Sequence, residues 1–156
     1  MKNVKFKDLK KQYQILLNEA EKVTEKAYAP YSCFRVGAAL LTRKGKIIVG
    51  SNVENASYGL TVCAERSALI NANILGERCF KALAVIAKGG PKVAKEVISP
   101  CGSCRQMIFE FSKISGEDTE IIMSDSKRNK IKIARISELL PLAYGPENLG
   151  MEVKKY

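Results

Sequence analysis

The sequence predicts an α/β domain, layered α-β-α around a mixed sheet of about five strands. Three observations carry that prediction. Helical and strand-like periodicities alternate along the chain, short apolar runs of strand length lie between the helical stretches, and 156 residues at 46% hydrophobic content can bury a core without disulfides. No composition shift marks a boundary, so residues 1–156 are read as one domain.

The elements follow in order. Phe6, Leu9, Tyr13, Leu16, Leu17, Ala20, Val23 and Ala27 recur at helical spacing and predict an amphipathic helix over 6–27. Pro30 then pushes Ala29 out of the helical region and ends it. Phe34–Thr42 and 46–53 read as strands joined by Arg43-Lys44-Gly45, a hairpin turn. Thr61 is placed to cap a helix over 62–75, with Gly76 at its end. A buried strand over 82–87 leads to a Gly89-Gly90-Pro91 loop, and 100–112 reads as the next helix. Glu120–Ser124 and 131–134 supply two more strands, and a short helix over 136–140 precedes Pro141.

Charge narrows the partners. The net charge of +10 raises the question of nucleic acid. The lysines are scattered, however: Lys2, Lys5, Lys7, Lys10 and Lys11 at the start, Lys92 and Lys95 in a loop, Lys127 to Lys132 in a hairpin, Lys154 and Lys155 at the end. No basic stripe interleaved with aromatics accompanies them, so a solvated lysine-rich surface is the reading taken and nucleic acid is not the expected partner. No apolar run approaches the roughly 20 residues that span a bilayer. The basic start leads into no apolar signal core, and five cysteines without a secretion signal point to a reducing compartment, hence the cytoplasm.

The absence of histidine decides which chemistry is open. No Ser-His-Asp triad, Cys-His pair or H-E-x-x-H helix can be built, so an acid or base working near neutral pH must be a carboxylate or a perturbed Lys, Cys or Tyr. Against that background Cys63-Ala64-Glu65 and Pro100-Cys101-Gly102-Ser103-Cys104 stand out. Structural zinc sites use four protein ligands, whereas catalytic ones use three and leave a position for water. Three thiols and one carboxylate therefore point to an open zinc site with its own proton carrier. The predicted elements put Cys63 in the first turn of one helix and Cys101 at the start of the next, where partial positive charge favours thiolates. Cys104 is three residues on and faces the same side. Glu65, two residues past Cys63, diverges around the helix; it is badly placed to be a ligand and better placed to serve the water.

Three thiolates on one zinc leave a local charge of about −1, which weakens the acidifying effect of the metal. Arg66 is read as donating to the sulfurs and withdrawing charge, while Arg105 is left open between that role and a surface ion pair. Asn52 and Glu54, two apart at a strand end, share a face and suit a polar ligand. Two alternatives compete for the cysteines. Cys101-x-x-Cys104 alone fits a redox pair, but this leaves Cys63 and Glu65 unexplained. Cys33 or Cys79 as a fourth ligand would close the site; neither has a C-x-x-C partner, and both are read as small buried residues.

Taken together, the segments resemble the small, homotetrameric cytidine deaminases from Tyr28 to about Leu149. The likeness rests on Tyr28-Ala29-Pro30-Tyr31-Ser32, Phe34-Arg35-Val36-Gly37-Ala38-Ala39-Leu40, Asn52-Val53-Glu54-Asn55-Ala56-Ser57-Tyr58, Thr61-Val62-Cys63-Ala64-Glu65-Arg66 and Pro100-Cys101-Gly102-Ser103-Cys104-Arg105-Gln106. Leu139-Leu140-Pro141-Leu142-Ala143-Tyr144-Gly145-Pro146 also fits, with tyrosine at 144 in place of the usual phenylalanine. The resemblance implies one zinc per subunit on Cys63, Cys101 and Cys104, activating the water that attacks carbon 4 of cytosine. It implies that Glu65 carries that water's proton to ring nitrogen 3 and later helps protonate the departing ammonia. By the same likeness Ala64 and Phe34 contact the base, and Asn52 and Glu54 the ribose hydroxyls. Ala56, Tyr58 and Tyr144 complete pockets at subunit contacts, Tyr144 from a neighbouring chain. The implied reaction is zinc-dependent deamination of cytidine and 2′-deoxycytidine to the uridines plus ammonia, in pyrimidine salvage. Competing readings are a deaminase of another cytosine compound such as blasticidin S, a base editor acting on RNA or DNA, and a zinc-stapled interaction module without catalysis.

Overall fold

The computed structural model describes residues 1–90 and 96–153. Pro91 of the expected loop and Lys92, Lys95, Lys154 and Lys155 lie outside the described residues.

Six strands form one mixed sheet: β1 (Lys2–Val4), β2 (Phe34–Thr42), β3 (Ile47–Ser51), β4 (Phe80–Gly89), β5 (Glu120–Ser124) and β6 (Ile131–Arg135). Their order is β1-β6-β5-β4-β2-β3, with β4 and β5 parallel and every other pair antiparallel. The extra strand relative to the expected five is β1. Three exposed or half-exposed residues hold it through backbone pairing with β6, Asn3 opposite Lys132, so no apolar alternation announces it. The parallel β4–β5 pair needs a crossover, and helix α3 (Gly102–Ser115) supplies it.

Alternation along β4 creates two cores. Ala82, Ala84 and Ile86 face helix α1 (Lys11–Val23), joining Tyr13, Leu16, Leu17 and Ala20. Leu83 and Val85 face the opposite way, onto Ala64, Ala68, Leu69 and Ala72 of helix α2 (Ala64–Ile74) and Ile108 and Phe111 of α3. The α-β-α layering follows directly from this period of two.

Boundaries moved for identifiable reasons. The stretch 6–27 is not one helix: a 3-10 turn at Phe6–Asp8 precedes α1, and another at Thr24–Lys26 follows it. Leu9 and Lys10 are extended between the first two pieces, and the buried Thr24 hydroxyl bonds back to the Glu21 carbonyl at 2.7 Å at the end of α1. Thr61 does not cap α2. It ends the 3-10 turn Tyr58–Leu60, and its Oγ1 accepts from the Asn55 amide at 3.2 Å. Helix α3 runs three residues past the expected 112 because Gly116, at φ 64°, provides the left-handed stop. A short helix α4 (Ile136–Leu139) follows β6.

Candidate metal centre

Helices α2 and α3 both begin on a cysteine. Cys63 (φ −70°, ψ 155°) and Cys101 (φ −67°, ψ 170°) are their extended N-cap residues, and neither start has a side-chain cap. The free amides of both first turns therefore point toward the thiols. Cys104, one turn into α3, completes the group.

The three Sγ atoms lie within 4.8 Å of one another, with Cys63 to Cys101 at 3.9 Å and Cys101 to Cys104 at 3.5 Å. Zn–S bonds of about 2.3 Å in a tetrahedron place sulfurs roughly 3.8 Å apart. The trio thus fits zinc. Among the described residues no fourth cysteine or carboxylate joins the group. Cys33 and Cys79 stand apart, and neither is buried as expected: Cys33 is exposed and Cys79 half-exposed. Cys33 adopts φ 54° in a turn closed by its amide on the Ala29 carbonyl, which turns it away from the core.

Burial grades the three ligands. Cys104 is fully buried, Cys63 partly, and Cys101 is exposed. The Cys63 thiol is held down to about 5: the Cys104 thiol donates to it, and Arg66 and Cys101 add to the effect against the cost of burial. Arg66 Nη2 reaches Cys63 Sγ at 3.8 Å and the Thr61 carbonyl at 2.8 Å, while its buried Nε has no hydrogen-bond partner among the described residues. The Cys63 thiolate in turn pushes the guanidinium up. Glu65, only 4% exposed, is pushed above the ordinary carboxylate range first by burial and then by the Cys63 charge.

Arg105 touches neither a sulfur nor, among the described residues, a carboxylate. Its guanidinium bonds the Pro100 carbonyl at 2.8 Å, the Leu139 carbonyl at 3.0 Å and Ser99 Oγ at 3.0 Å. Both roles considered for it from sequence give way to this backbone clamp.

The expected substrate residues gather around the beginning of β2. Asn52 is buried, and its side chain donates to the Phe34 carbonyl at 2.9 Å and accepts from the Val36 amide at 2.7 Å. Glu54 accepts from the amides of Tyr31 (2.9 Å) and Ser32 (3.3 Å) and from the Ser32 hydroxyl, which lowers its carboxyl; the Ser32 hydroxyl contributes most. Glu54 also lines a cavity of about 390 Å³ with Tyr31, Ser32, Asn55, Tyr58 and Thr61. Arg66 links this cavity to the thiols through its bond to the Thr61 carbonyl. Ala64 is buried at the start of α2, Phe34 opens β2, Ala56 is exposed four residues after Asn52, and Tyr58 meets Tyr31 edge to face at 6.3 Å. Tyr144 is exposed and far along the chain, its carbonyl held by Gln106 Nε2 at 2.8 Å. Sequence reasoning missed Ser32 as the partner of Glu54; the only signal was a hydroxyl two residues before an apolar strand start.

Comparison with known proteins draws on this whole region. A family model described as "Cytidine and deoxycytidylate deaminase zinc-binding region" matches residues 10–116. The chain belongs to the cytidine and deoxycytidylate deaminase family. A curated cytidine deaminase of Halalkalibacterium halodurans is 44% identical over 137 residues, covering 88% of this chain and 97% of the relative. A probable cytidine deaminase of Dictyostelium discoideum is 41% identical over 85% of this chain and 84% of its own length. The crystal structure of the Burkholderia pseudomallei cytidine deaminase superposes with a TM-score of 0.75 at 41% identity, covering 85% of this chain and 98% of that one. As a member of this deaminase family, the chain carries its three-cysteine group inside the matched region, on the segments that launch α2 and α3.

Proposed function

We propose that this deaminase hydrolyses cytidine and 2′-deoxycytidine to the corresponding uridines and ammonia in pyrimidine salvage, with one zinc per subunit held by Cys63, Cys101 and Cys104. One observation carries the reading: three thiols at two helix starts, spaced for zinc, with a buried carboxyl two residues from the first thiol. Zinc bound there supplies Lewis acidity toward water.

The chain's own residues do the rest. Glu65 holds and moves the proton, from water to ring nitrogen 3 and then to the leaving ammonia; its burial raises the carboxyl above the ordinary carboxylate range. Arg66 offsets thiolate charge at Cys63. Ala64 offers its backbone to the base and Phe34 packs against it. Asn52 and Glu54 serve the ribose hydroxyls, Asn52 largely by fixing the strand that carries Phe34. The Glu54 carboxylate disfavours a phosphorylated sugar by like-charge repulsion, so free nucleosides are preferred. Ala56, Tyr58 and Tyr144 complete pockets between subunits of a homotetramer, Tyr144 reaching a neighbouring copy. Tyr31 and Tyr58, both exposed and lining the cavity, support such coverage. Among the described residues no helix is long and apolar enough to cross a membrane.

The test is Glu65→Gln. Zinc content and circular dichroism should match the parent while the ultraviolet loss of cytidine falls by at least about 100-fold. Full turnover in the glutamine variant, or an active protein free of metal, would overturn the assignment.

A further inference from the structure

We propose that Arg105 is a positioning residue for the metal centre, holding the exposed ligand Cys101 in place, an inference that rests on the zinc assignment above. The three cysteines are not equally constrained. Cys104 is fully buried in the first turn of α3, and Cys63 is half-buried and bonded by Arg66. Cys101 is exposed and lacks a side-chain cap interaction; apart from the two partner thiols at 3.9 Å and 3.5 Å, its Sγ position is set by the backbone that enters α3. The Arg105 guanidinium grips that backbone. Its Nε bonds the Pro100 carbonyl at 2.8 Å, one residue before Cys101, beside the ordinary helical bond from the Arg105 amide to the Cys101 carbonyl at 2.9 Å that any residue but proline would make there. Nη2 takes Ser99 Oγ, and Nη1 ties the bundle to the Leu139 carbonyl at the end of α4.

This is the planar fork of a guanidinium used on neutral acceptors. Pro100 is buried but cannot donate, and Cys101 is exposed, so among the described residues the side-chain hydrogen bonds at residues 99 and 100 come from Arg105. A lysine at 105 can reach one carbonyl as a point donor but cannot hold three acceptors in one plane. The adjacent Gln106 bonds the Tyr144 carbonyl, so the same turn that steadies Cys101 also fastens the C-terminal segment. Zinc retention is therefore expected to depend on a residue that touches neither metal nor substrate.

The experiment measures zinc release to a chromogenic chelator from loaded parent, Arg105→Ala, Arg105→Lys and Ser99→Ala, with thermal midpoints recorded in parallel. Outer-shell changes typically cost about 10- to 100-fold in metal affinity. Arg105→Ala should release zinc at least about 10-fold faster, Arg105→Lys should fall between it and the parent, and Ser99→Ala should show a smaller change in the same direction. Excess zinc should restore turnover in Arg105→Lys with KM near the parent value. Gly37→Ala, which disturbs the opposite face of the sheet, serves as the control for plain destabilisation: its midpoint falls while its zinc release stays near the parent rate. Should Arg105→Ala not fold, the lysine and Ser99 variants carry the test alone. Zinc release equal to the parent in Arg105→Lys and Ser99→Ala overturns the inference. A parent that binds no zinc overturns the underlying assignment instead, so the two failures are distinct.

Discussion

Gly37 lies directly against the backbone of Ala20: a Cβ at 37 would sit 1.9 Å from the Ala20 carbonyl oxygen. On the other face, a Cβ at Gly50 would sit 2.3 Å from the Ala68 amide nitrogen. Gly50 pairs with Ala38, next to Gly37, so two glycines at the end of the β2–β3 ribbon away from its turn let α1 and α2 close on the sheet from opposite sides. Backbone cannot yield as a flexible side chain does. Gly37→Ala and Gly50→Ala should each cost about 3 kcal/mol, at the upper end of ordinary overpacking, read as a lower urea midpoint with unchanged slope. Gly50→Ala should also disturb metal binding, since α2 begins at Cys63; Gly37→Ala should not.

Asn52→Ala should lower stability as well as activity. The substitution removes partners from the Phe34 carbonyl and the Val36 amide, and each half-buried group left unpaired costs about 1–3 kcal/mol. KM for cytidine should rise as Phe34 loosens. Equilibrium unfolding distinguishes this from a residue that meets only substrate, whose loss would leave the midpoint unchanged.

The Cys63 thiol, held down to about 5 by donors from Cys104, Arg66 and Cys101, should be the reactive cysteine of metal-stripped protein. A lowered value means the thiolate persists as pH falls, so alkylation at Cys63 should stay near its plateau from pH 8 to about pH 6 and drop below about pH 5. Arg66→Gln should move that drop upward, because it removes a donor that favours the charged form. Mass spectrometry of alkylated peptides across pH reads both effects.

Glu77 gives the clearest acid dependence of folding. Lys46 at 2.9 Å, with Lys44 at 3.7 Å, holds its carboxyl below the ordinary range, the Lys46 bond contributing most. A depressed carboxyl stabilises the fold above its unfolded value, near pH 4.3, and that stabilisation disappears as pH falls through the folded value. Glu77→Gln should therefore lower the thermal midpoint at pH 7, and the gap to the parent should close as the solution is acidified below about pH 4.

Much of this was legible in the residues. The two cysteine-led segments and the alternating β4 run announced themselves through spacing and period, and they locate both the metal group and the layering. What escaped was set by partners distant in sequence. β1 exists because β6 offers an edge, Thr61 answers Asn55 and not a helix, and Arg105 finds Leu139 34 residues away. Asn52 reads as a ligand residue because it is polar at a strand end; that its buried amide also bonds the neighbouring strand is a register that alternation alone does not reveal.

The placement of α1 has a practical reach. Its contacts with the sheet, and those of Glu21 with Lys88 and Arg128, lie on the side turned away from the thiols. The sheet acts as a partition wall between that layer and the chemistry. Charge reversal, labelling or tethering on the outward surface of α1 can therefore be used to immobilise or resurface the enzyme while the reaction chamber on the far side is left as it was.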